Sequence, residues 1–200
     1  MKIYKIYPGG FAANSYILTA DESTCVVIDP AQPRILQECR KRGLTARYAL
    51  LTHCHYDHIG GCGALFKEGC KVLCSADERQ YIFSEDNRAI FHGIDIPHFE
   101  IYKTLADGEH IDLAGIGIDC ISTPGHTCGG MCYAVGGNIF SGDTLFYESV
   151  GRTDFPTGSY PALVSSVKKL YSLGDAAVCP GHGEDTTLAH ERSFNPYVKY

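Results

Sequence analysis

A short segment, residues 52–61, carries four side chains of the types that bind metal ions. It reads Thr-His-Cys-His-Tyr-Asp-His-Ile-Gly-Gly and places three imidazoles and one carboxylate within six consecutive residues. His53 and His55 are two residues apart, so a strand running out of residues 48–51 would project both side chains from one face. The carboxylate and the third imidazole follow where the chain turns. We therefore interpret the segment as a metal-binding loop that could supply ligands to two ions.

Three later turns each place a further potential ligand directly after a glycine at the end of a predicted strand. They hold His126, Asp143 and His182. A rigid sheet keeps such loop side chains in a fixed geometry. Five imidazoles and two carboxylates exceed the ligands of one tetrahedral ion, and this N/O donor set suits zinc, manganese or iron. The sequence therefore predicts two metal ions that share a carboxylate, with the ligands His53, His55, Asp57, His58, His126, Asp143 and His182.

The other four histidines lack glycine-flanked settings and neighbouring ligand types, so we expect ordinary surface or core roles for them. They are His92, His98, His110 and His190. The cluster at 53–58 is different, because so many ionisable groups packed together would be costly without a cation to pair them.

The rest of the chain must supply the strands that hold these turns. Apolar runs predict strands in the first half at 1–7, 15–19, 25–29, 48–51 and 71–74. Short runs cut by glycines predict a sheet-rich second half, with strands at 102–105, 109–113, 117–122, 131–135, 138–140 and 176–179. Apolar residues at helical spacing predict helices over 33–42, 64–67 and 159–173, and residues 76–90 look helical at their start. The pattern is that of an α/β (α+β) protein.

Length and composition indicate a globular protein. Of the 200 residues 44% are hydrophobic and 20% charged, and we expect a single domain over residues 1–200. The net charge of −6 and the absence of a long basic run argue against nucleic acid as a partner. No apolar run approaches the roughly 20 residues that span a bilayer, so we expect no membrane association. The sequence leaves the oligomeric state open.

The N-terminus and the cysteines favour a cytoplasmic location. Residues 1–7 alternate polar and apolar side chains, which suits a strand better than the apolar core of a signal peptide. The ten cysteines are scattered and form no Cys-x-x-Cys pair, and the chain is large enough to fold without disulfides. We therefore expect reduced thiols that serve as small buried hydrophobic side chains.

The order and spacing of the seven ligands resemble those of the metallo-β-lactamase superfamily. The motif Thr-His-x-His-x-Asp-His at 52–58 is followed by the three glycine-flanked turns, and the resemblance covers essentially the whole chain. It implies a four-layer αββα sandwich of two mixed sheets faced by helices. It also implies one metal held by His53, His55 and His126, a second held by Asp57, His58 and His182, and Asp143 as the bridge between them.

Within that superfamily the chain is similar to the short glyoxalase-II-like hydrolases, through the segments 142–146 and 151–155. The resemblance implies a dinuclear metal-dependent hydrolase of small thioesters such as S-lactoylglutathione, with zinc as the favoured metal. A hydroxide held between the metals, with Asp57 and Asp143 as its catalytic carboxylates, would attack the thioester carbonyl. A thiolate has a conjugate-acid pKa near 8.5, so it would leave with little help from a general acid.

The substrate contacts are less well defined by the sequence. In glyoxalase II a basic residue at the position of Arg152 contacts the glutathione part of the substrate, so Arg152 and Phe146 are the expected contacts. Alternatively, Arg152 pairs with a local carboxylate such as Asp154. Residues 183–200 leave no room for the C-terminal helical domain that grips glutathione in that enzyme. Cys128 follows the histidine turn where a proline is common, and is either a reactive thiol or a buried small residue.

Three other functions fit the same residues. One is a mononuclear iron oxidoreductase resembling persulfide dioxygenases, which share the histidine motif and the segment 151–155 but use only His53, His126 and Asp143. The others are a lactone hydrolase of the same superfamily and a metal-stabilised binding domain without activity. True β-lactamases are disfavoured, since they lack the bridging carboxylate. Because every ligand of the second site is retained, the sequence favours hydrolysis.

Overall fold

Two six-stranded sheets form the centre of the computed structural model, which describes residues 1–199. The first sheet follows the chain in order, with antiparallel pairing among its first three strands and parallel pairing among the last four. Its strands are β1 (Lys2–Ile6), β2 (Ser15–Thr19), β3 (Thr24–Ile28), β4 (Thr45–Leu50), β5 (Lys71–Ser75) and β6 (Ile101–Leu105).

The second sheet is built from the later strands. In chain order these are β7 (His110–Leu113), β8 (Ile116–Ser122), β9 (Met131–Val135), β10 (Asn138–Gly142), a small separate hairpin β11 (Leu145–Phe146) and β12 (Ser149–Val150), and then β13 (Ala177–Pro180) and β14 (Thr186–Thr187). The spatial order is β14-β13-β10-β9-β8-β7, antiparallel except for the parallel pair β10 and β13. The predicted strands are confirmed, with ends that shift by up to three residues.

Helices cover the outer face of each sheet. The first sheet carries α1 (Ile35–Lys41), the single turn α2 (Tyr56–Ile59) and α3 (Cys62–Lys67), and the second carries α4 (Tyr160–Tyr171) and α5 (Leu188–Phe194). A third apolar cluster fills the space between the sheets, where Tyr16 meets Phe140 edge-on at 5.0 Å. The predicted four-layer αββα sandwich is therefore confirmed.

The sequence periodicities explain these layers. In β8 the side chains of Ile116, Ile118 and Cys120 are buried while those between them are exposed, as expected for a strand with one face in the core. In α4 the Ser159 side chain caps the helix by accepting the N–H of Ala162. Its buried side chains recur at helical spacing and pack on the second sheet, namely Leu163, Val167, Leu170 and Tyr171.

The helical start predicted for residues 76–90 is wrong. This crossover between β5 and β6 is made of turns and two 3₁₀ segments, Glu85–Asn87 and Ala89–His92. The side chain of Asn87 bonds to the carbonyl of Ile82 and accepts the N–H of Ala89, which competes with helical backbone pairing. Arg88 has a φ of +68°, in the left-handed region, so a continuous helix is impossible there.

The cysteines behave as the composition suggests. All ten are free, nine are buried, and Cys128 alone is half-buried. Six of the buried ones line the apolar layer between the first sheet and its helices. Within residues 1–199, no helix combines the length and apolar character needed to cross a bilayer.

Candidate metal centre

All seven predicted ligands lie at one edge of the two sheets, five in loops and Asp57 and His58 in the single helical turn α2. β4 ends at Leu50, so His53 and His55 lie beyond it in an extended loop rather than on a strand. Asp143 and His182 follow the neighbouring parallel strands β10 and β13, whose carboxyl ends meet at the same edge. The two sheets are tied together here, since the N–H of Met131 donates to the carbonyl of Thr52 at 2.9 Å.

The ligand atoms fall into compact sets whose members lie within 4.8 Å of one another. One set contains His53, His55 and His126, and another contains Asp57, His58 and His182. His53 and His58 form a third set with Asp143. All seven predicted residues are therefore brought together: six fall into the two groups that the resemblance implied, and Asp143 forms a set with one histidine from each group.

Asp143 lies between the two groups. Its Oδ2 is 3.4 Å from Nε2 of His126, and its Oδ1 is 3.2 Å from Nε2 of His58 and 3.7 Å from Nε2 of His182. Each carboxylate oxygen thus faces a different group. Asp143 is therefore close to imidazole nitrogens of both groups.

Hydrogen bonds fix which ring nitrogen of each buried histidine is free, and we assign the tautomers from them. Nδ1–H of His126 donates to the carbonyl of Arg152 at 2.7 Å. Nδ1–H of His53 donates to Oγ1 of Thr52 at 3.1 Å. In both rings Nε2 keeps its lone pair: that of His53 has no hydrogen-bond partner, and that of His126 lies 2.9 Å from Nδ1 of His55. Imidazoles held in this way are typical metal ligands.

Unpaired atoms show that the site fits a cation. Within residues 1–199, four buried side-chain atoms lack a hydrogen-bond partner, and three of them belong to the predicted ligands. These are Nε2 of His53, Nε2 of His58 and Oδ1 of Asp143. Buried polar atoms without partners are costly, and a metal ion would satisfy all three.

The electrostatics agree with this reading. Burial lowers the pKa of His53 well below its usual range and that of His55 to about 3, so both imidazoles are neutral at pH 7. Burial also opposes a charge on His58, but the carboxylates of Asp143 and Asp29 outweigh burial and raise the pKa of His58. A divalent cation would supply the positive charge that these carboxylates otherwise draw from a proton on that ring.

Sequence reasoning missed Asp29, whose carboxylate is hydrogen-bonded to His58 of the second ligand group. This buried carboxylate accepts the N–H and the hydroxyl of Thr52 at 2.8 and 2.7 Å, and Nδ1–H of His58 at 2.8 Å. It closes β3 with a φ of +48°, which turns its side chain toward the ligand loop. The available signal was an acidic residue at the end of a fully apolar strand.

Glu78 was missed as well. It is 1% exposed, and its carboxylate accepts the backbone N–H of Cys54 at 2.8 Å and that of Gly129 at 3.0 Å. The first amide lies between two ligands, and the second lies three residues after His126. One carboxylate therefore joins two ligand loops, and only the crossover after β5 brings it there.

Two of the glycines before ligands are required by close approach. Gly142 has a φ of +49°, and a Cβ there would lie 2.6 Å from Cβ of Thr52. A Cβ on Gly181 would lie 2.7 Å from Cε1 of His58 and would also strike Asp143. The glycine-flanked turns seen in the sequence thus mark where backbone must pass beside ligand side chains.

A cleft of about 440 Å³ opens over the ligands. Phe146 lines it, with its ring centre 6.1 Å from that of His182. Arg152 lines it too, but its guanidinium makes two 2.6 Å bonds to Asp154, the alternative that the sequence left open. His92, expected to have no site role, also faces this cleft.

The three remaining histidines lie outside the ligand sets. His110 pairs with Asp119, His190 with Glu148, and His98 stacks on Phe83. Cys128 belongs to none of the sets either, and burial raises the pKa of its thiol. Its half-buried position favours the role of a small packing residue over that of a reactive thiolate.

Comparison with known proteins identifies the family. A profile described as the Metallo-beta-lactamase superfamily matches residues 8–182. The hydroxyacylglutathione hydrolase GloC of Haemophilus influenzae is 31% identical over 210 residues, which cover 99% of this chain and 98% of that protein.

Solved structures are similar over nearly the whole chain. The BLEG-1 B3 metallo-beta-lactamase has a TM-score of 0.92 at 28% identity and full coverage of both chains. TTHA1623 in a di-iron-bound form has a TM-score of 0.87 at 32% identity, covering 98% of this chain and 100% of that one. ETHE1 from Myxococcus xanthus has a TM-score of 0.83 at 25% identity, covering 98% and 84%.

Proposed function

The chain belongs to the metallo-beta-lactamase superfamily of metal-dependent hydrolases, and from that premise we propose that it is a dinuclear hydrolase of small thioesters. The observation that carries the proposal is the position of Asp143, with one oxygen toward each ligand group. The similarity to a hydroxyacylglutathione hydrolase over the full chain supports the thioester, and the di-iron form of TTHA1623 supports two ions.

We assign the ligands as the resemblance implies. His53, His55 and His126 would hold one cation, Asp57, His58 and His182 would hold the other, and Asp143 would contact both. Bound there, two divalent cations would polarise the thioester carbonyl and lower the pKa of water from 15.7 to about 7. Zinc suits the donor set, with iron or manganese as alternatives.

The protein's own groups then orient the reactants. Asp57 lines the cleft and its carboxylate lies 3.2 Å from Nε2 of His182. Its proposed role is to accept a hydrogen bond from the attacking water. The His58 ring is held by Asp29 and cannot rotate out of the site. Water adds its oxygen to the carbonyl carbon, the C–S bond breaks, and the products are a carboxylic acid and a thiol. Phe146 and Arg152 are the proposed substrate contacts along the cleft.

The direct test is hydrolysis of S-lactoylglutathione by protein loaded with zinc, iron or manganese. We predict that Asp143→Asn lowers kcat/KM at least 100-fold, because the neutral amide leaves two cations poorly compensated. Asp57→Asn should also lower it more than tenfold. The matched control is Asp119→Asn on the exposed face of β8, which should leave activity unchanged. Wild-type activity in Asp143→Asn with both metals retained would exclude a bridging role.

The persulfide dioxygenase alternative rests on the segment Gly-Arg-Thr-Asp-Phe at 151–155, which that family shares. It requires one iron per chain and oxygen consumption with glutathione persulfide, whereas the hydrolase requires two metals. Metal content per chain therefore separates the two. Activity toward a panel of acyl-lactones, measured beside the thioesters, would distinguish a lactone hydrolase from a thioester hydrolase.

We also propose that residues 1–200 form one domain and that the protein works in the cytoplasm on small molecules. Ten free cysteines support the cytoplasmic proposal, because disulfides are the rule in small exported domains.

A further inference from the structure

Two cavities meet at the ligand loop and differ in character. The basic chamber, the 440 Å³ cleft, is lined by Arg88, Arg152, Phe146 and Phe155 and by five of the proposed ligands, among them the carboxylates Asp57 and Asp143. The apolar chamber, about 510 Å³, is lined by Phe11, Ala12, Ala31, Pro33, Ile94 and Pro97 among others. Both volumes lie in the range of small-molecule sites.

The junction of the chambers lies beside the proposed reaction site, whose ligands His55, His126, Asp143 and His182 line the basic chamber. Tyr56 and His92 stack with ring centres 4.7 Å apart and line both chambers. Asp57 lines both as well. A carbonyl placed for attack beside Asp57 would therefore leave one half of the molecule in each chamber.

The apolar chamber suits a neutral group. The charged side chains that line it are Asp57 and Asp95, and no lysine or arginine of the described chain lines it. An anion there would face Asp95 with no lysine or arginine in the wall, whereas Asp57 and Asp143 in the basic chamber would be neutralised by the proposed cations. An alkyl or aryl group in the apolar chamber would gain from contact with its aliphatic and aromatic wall.

The basic chamber contains an unneutralised cation. Its Arg88 guanidinium lies over the rings of Phe91 and Phe155 at 4.0 and 4.5 Å, and within residues 1–199 it has no carboxylate partner. Arg152, by contrast, is already paired with Asp154. The left-handed backbone of Arg88 is strained for a non-glycine residue, and such strain is typical of functional positions.

Building on the proposed thioester hydrolysis, we propose that the substrate joins a neutral apolar acyl group, seated in the apolar chamber, to an anionic thiol whose charge faces Arg88. This orientation places each half where the charges are complementary. It also makes the segment 88–97, rather than Arg152 alone, the determinant of substrate choice.

Binding of non-hydrolysable thioethers tests the inference without turnover. S-ethyl, S-butyl and S-hexyl glutathione would be titrated into the metal-loaded protein by calorimetry. We expect the Kd to fall about two- to fourfold per added methylene, as each one is buried in the apolar chamber. Equal affinity for all three thioethers would overturn the assignment of that chamber.

Substitutions test whether the dependence of the Kd on alkyl-chain length arises in the apolar chamber. Ile94→Trp should fill the apolar chamber and reduce the ratio of ethyl to hexyl Kd at least tenfold. Ile90→Trp is the matched control, since Ile90 is exposed on the same segment and lines a different depression, and it should leave the ratio unchanged. Retention of the full ratio in Ile94→Trp would contradict the inference.

Variants of two arginines test the contact with the anionic half of the ligand. Arg88→Gln should weaken the binding of S-hexyl glutathione at least tenfold but leave the binding of the uncharged S-hexyl mercaptoethanol unchanged. Substitution of the exposed Arg79, Arg79→Gln, should affect the binding of neither ligand. Equal loss for both ligands would show that Arg88 is only structural.

Hydrolysis of acetyl- and hexanoyl-glutathione is measured separately. Chain-length-dependent binding without hydrolysis would remove the proposed function and keep the chamber assignment, whereas hydrolysis with length-independent binding would do the reverse.

Discussion

At the residue scale, the chemistry depends on side chains that do not themselves face the cleft. Asp29 receives the N–H and hydroxyl of Thr52 and the ring N–H of His58, so it orients two neighbours of the site at once. Thr52 in turn accepts the ring N–H of His53. These bonds engage Nδ1 of His58 and of His53, so Nε2 is the ring nitrogen that each histidine offers to a metal.

We predict that Asp29→Asn lowers metal affinity about 10- to 100-fold, because the neutral amide no longer fixes the His58 ring. Competition with a chelator and metal analysis of the dialysed protein would measure it. Asp119→Asn on the exposed face of β8 should bind metal as the wild type does. Unchanged retention in Asp29→Asn would mean that packing alone holds the ring.

At the element scale, the proposed ligands follow the ends of strands, five in loops and Asp57 and His58 in the helical turn α2, and the loops are joined to one another. Glu78 joins the loop after β4 to the loop after β8 through two backbone amides. It lies at the start of the irregular crossover 76–97, which also forms walls of both chambers. Because this crossover is irregular and not helical, it can both join two ligand loops through Glu78 and line the two chambers.

We predict that Glu78→Gln destabilises the fold by about 1–3 kcal/mol, since a glutamine amide presents an N–H to one of two backbone donors. Urea unfolding would measure the change, and metal affinity should fall with it. Glu68→Gln removes an exposed pair with Arg40, for which we expect less than about 0.5 kcal/mol. Equal stability of the two variants would argue against the proposal that Glu78 stabilises the fold by joining the two loops.

At the scale of the whole molecule, three apolar clusters separate two sheets and two helical layers, and the metal centre lies at the common edge. Free thiols fill much of this interior. Burial raises the pKa of Cys70, Cys74, Cys120 and Cys179 to about 12 and that of Cys132 to about 11. At pH 8 these groups are therefore almost entirely protonated and unreactive.

We predict that a thiol reagent at pH 8 titrates about one cysteine in the native protein, the half-buried Cys128, and all ten in denaturant. Cys128→Ser should reduce the native count to about zero. Fewer than ten thiols after denaturation under reducing-agent-free conditions would reveal disulfides and contradict the buried-thiol interpretation.

Much of the fold was predictable because its elements have strong local patterns. Strands such as β3 and helices such as α4 bury long apolar stretches, so period and length suffice to place them. The crossover after β5 was not predictable as a helix or loop, because Asn87 and the left-handed Arg88 break a pattern that begins as a helix. Local hydrogen bonds of this kind override propensity.

The sequence by itself identified the seven candidate ligands, since their residue types and the glycines beside them are local properties of four short turns. Only the tertiary structure decided how they are held and what lies around them. Asp29 and Glu78 act 23 and 24 residues away from Thr52 and Cys54, and Asp154 neutralises the arginine that the resemblance assigned to the substrate. Such contacts depend on which loops the sheets bring to one edge, and a distance between loops is not written in the spacing of residues along a chain.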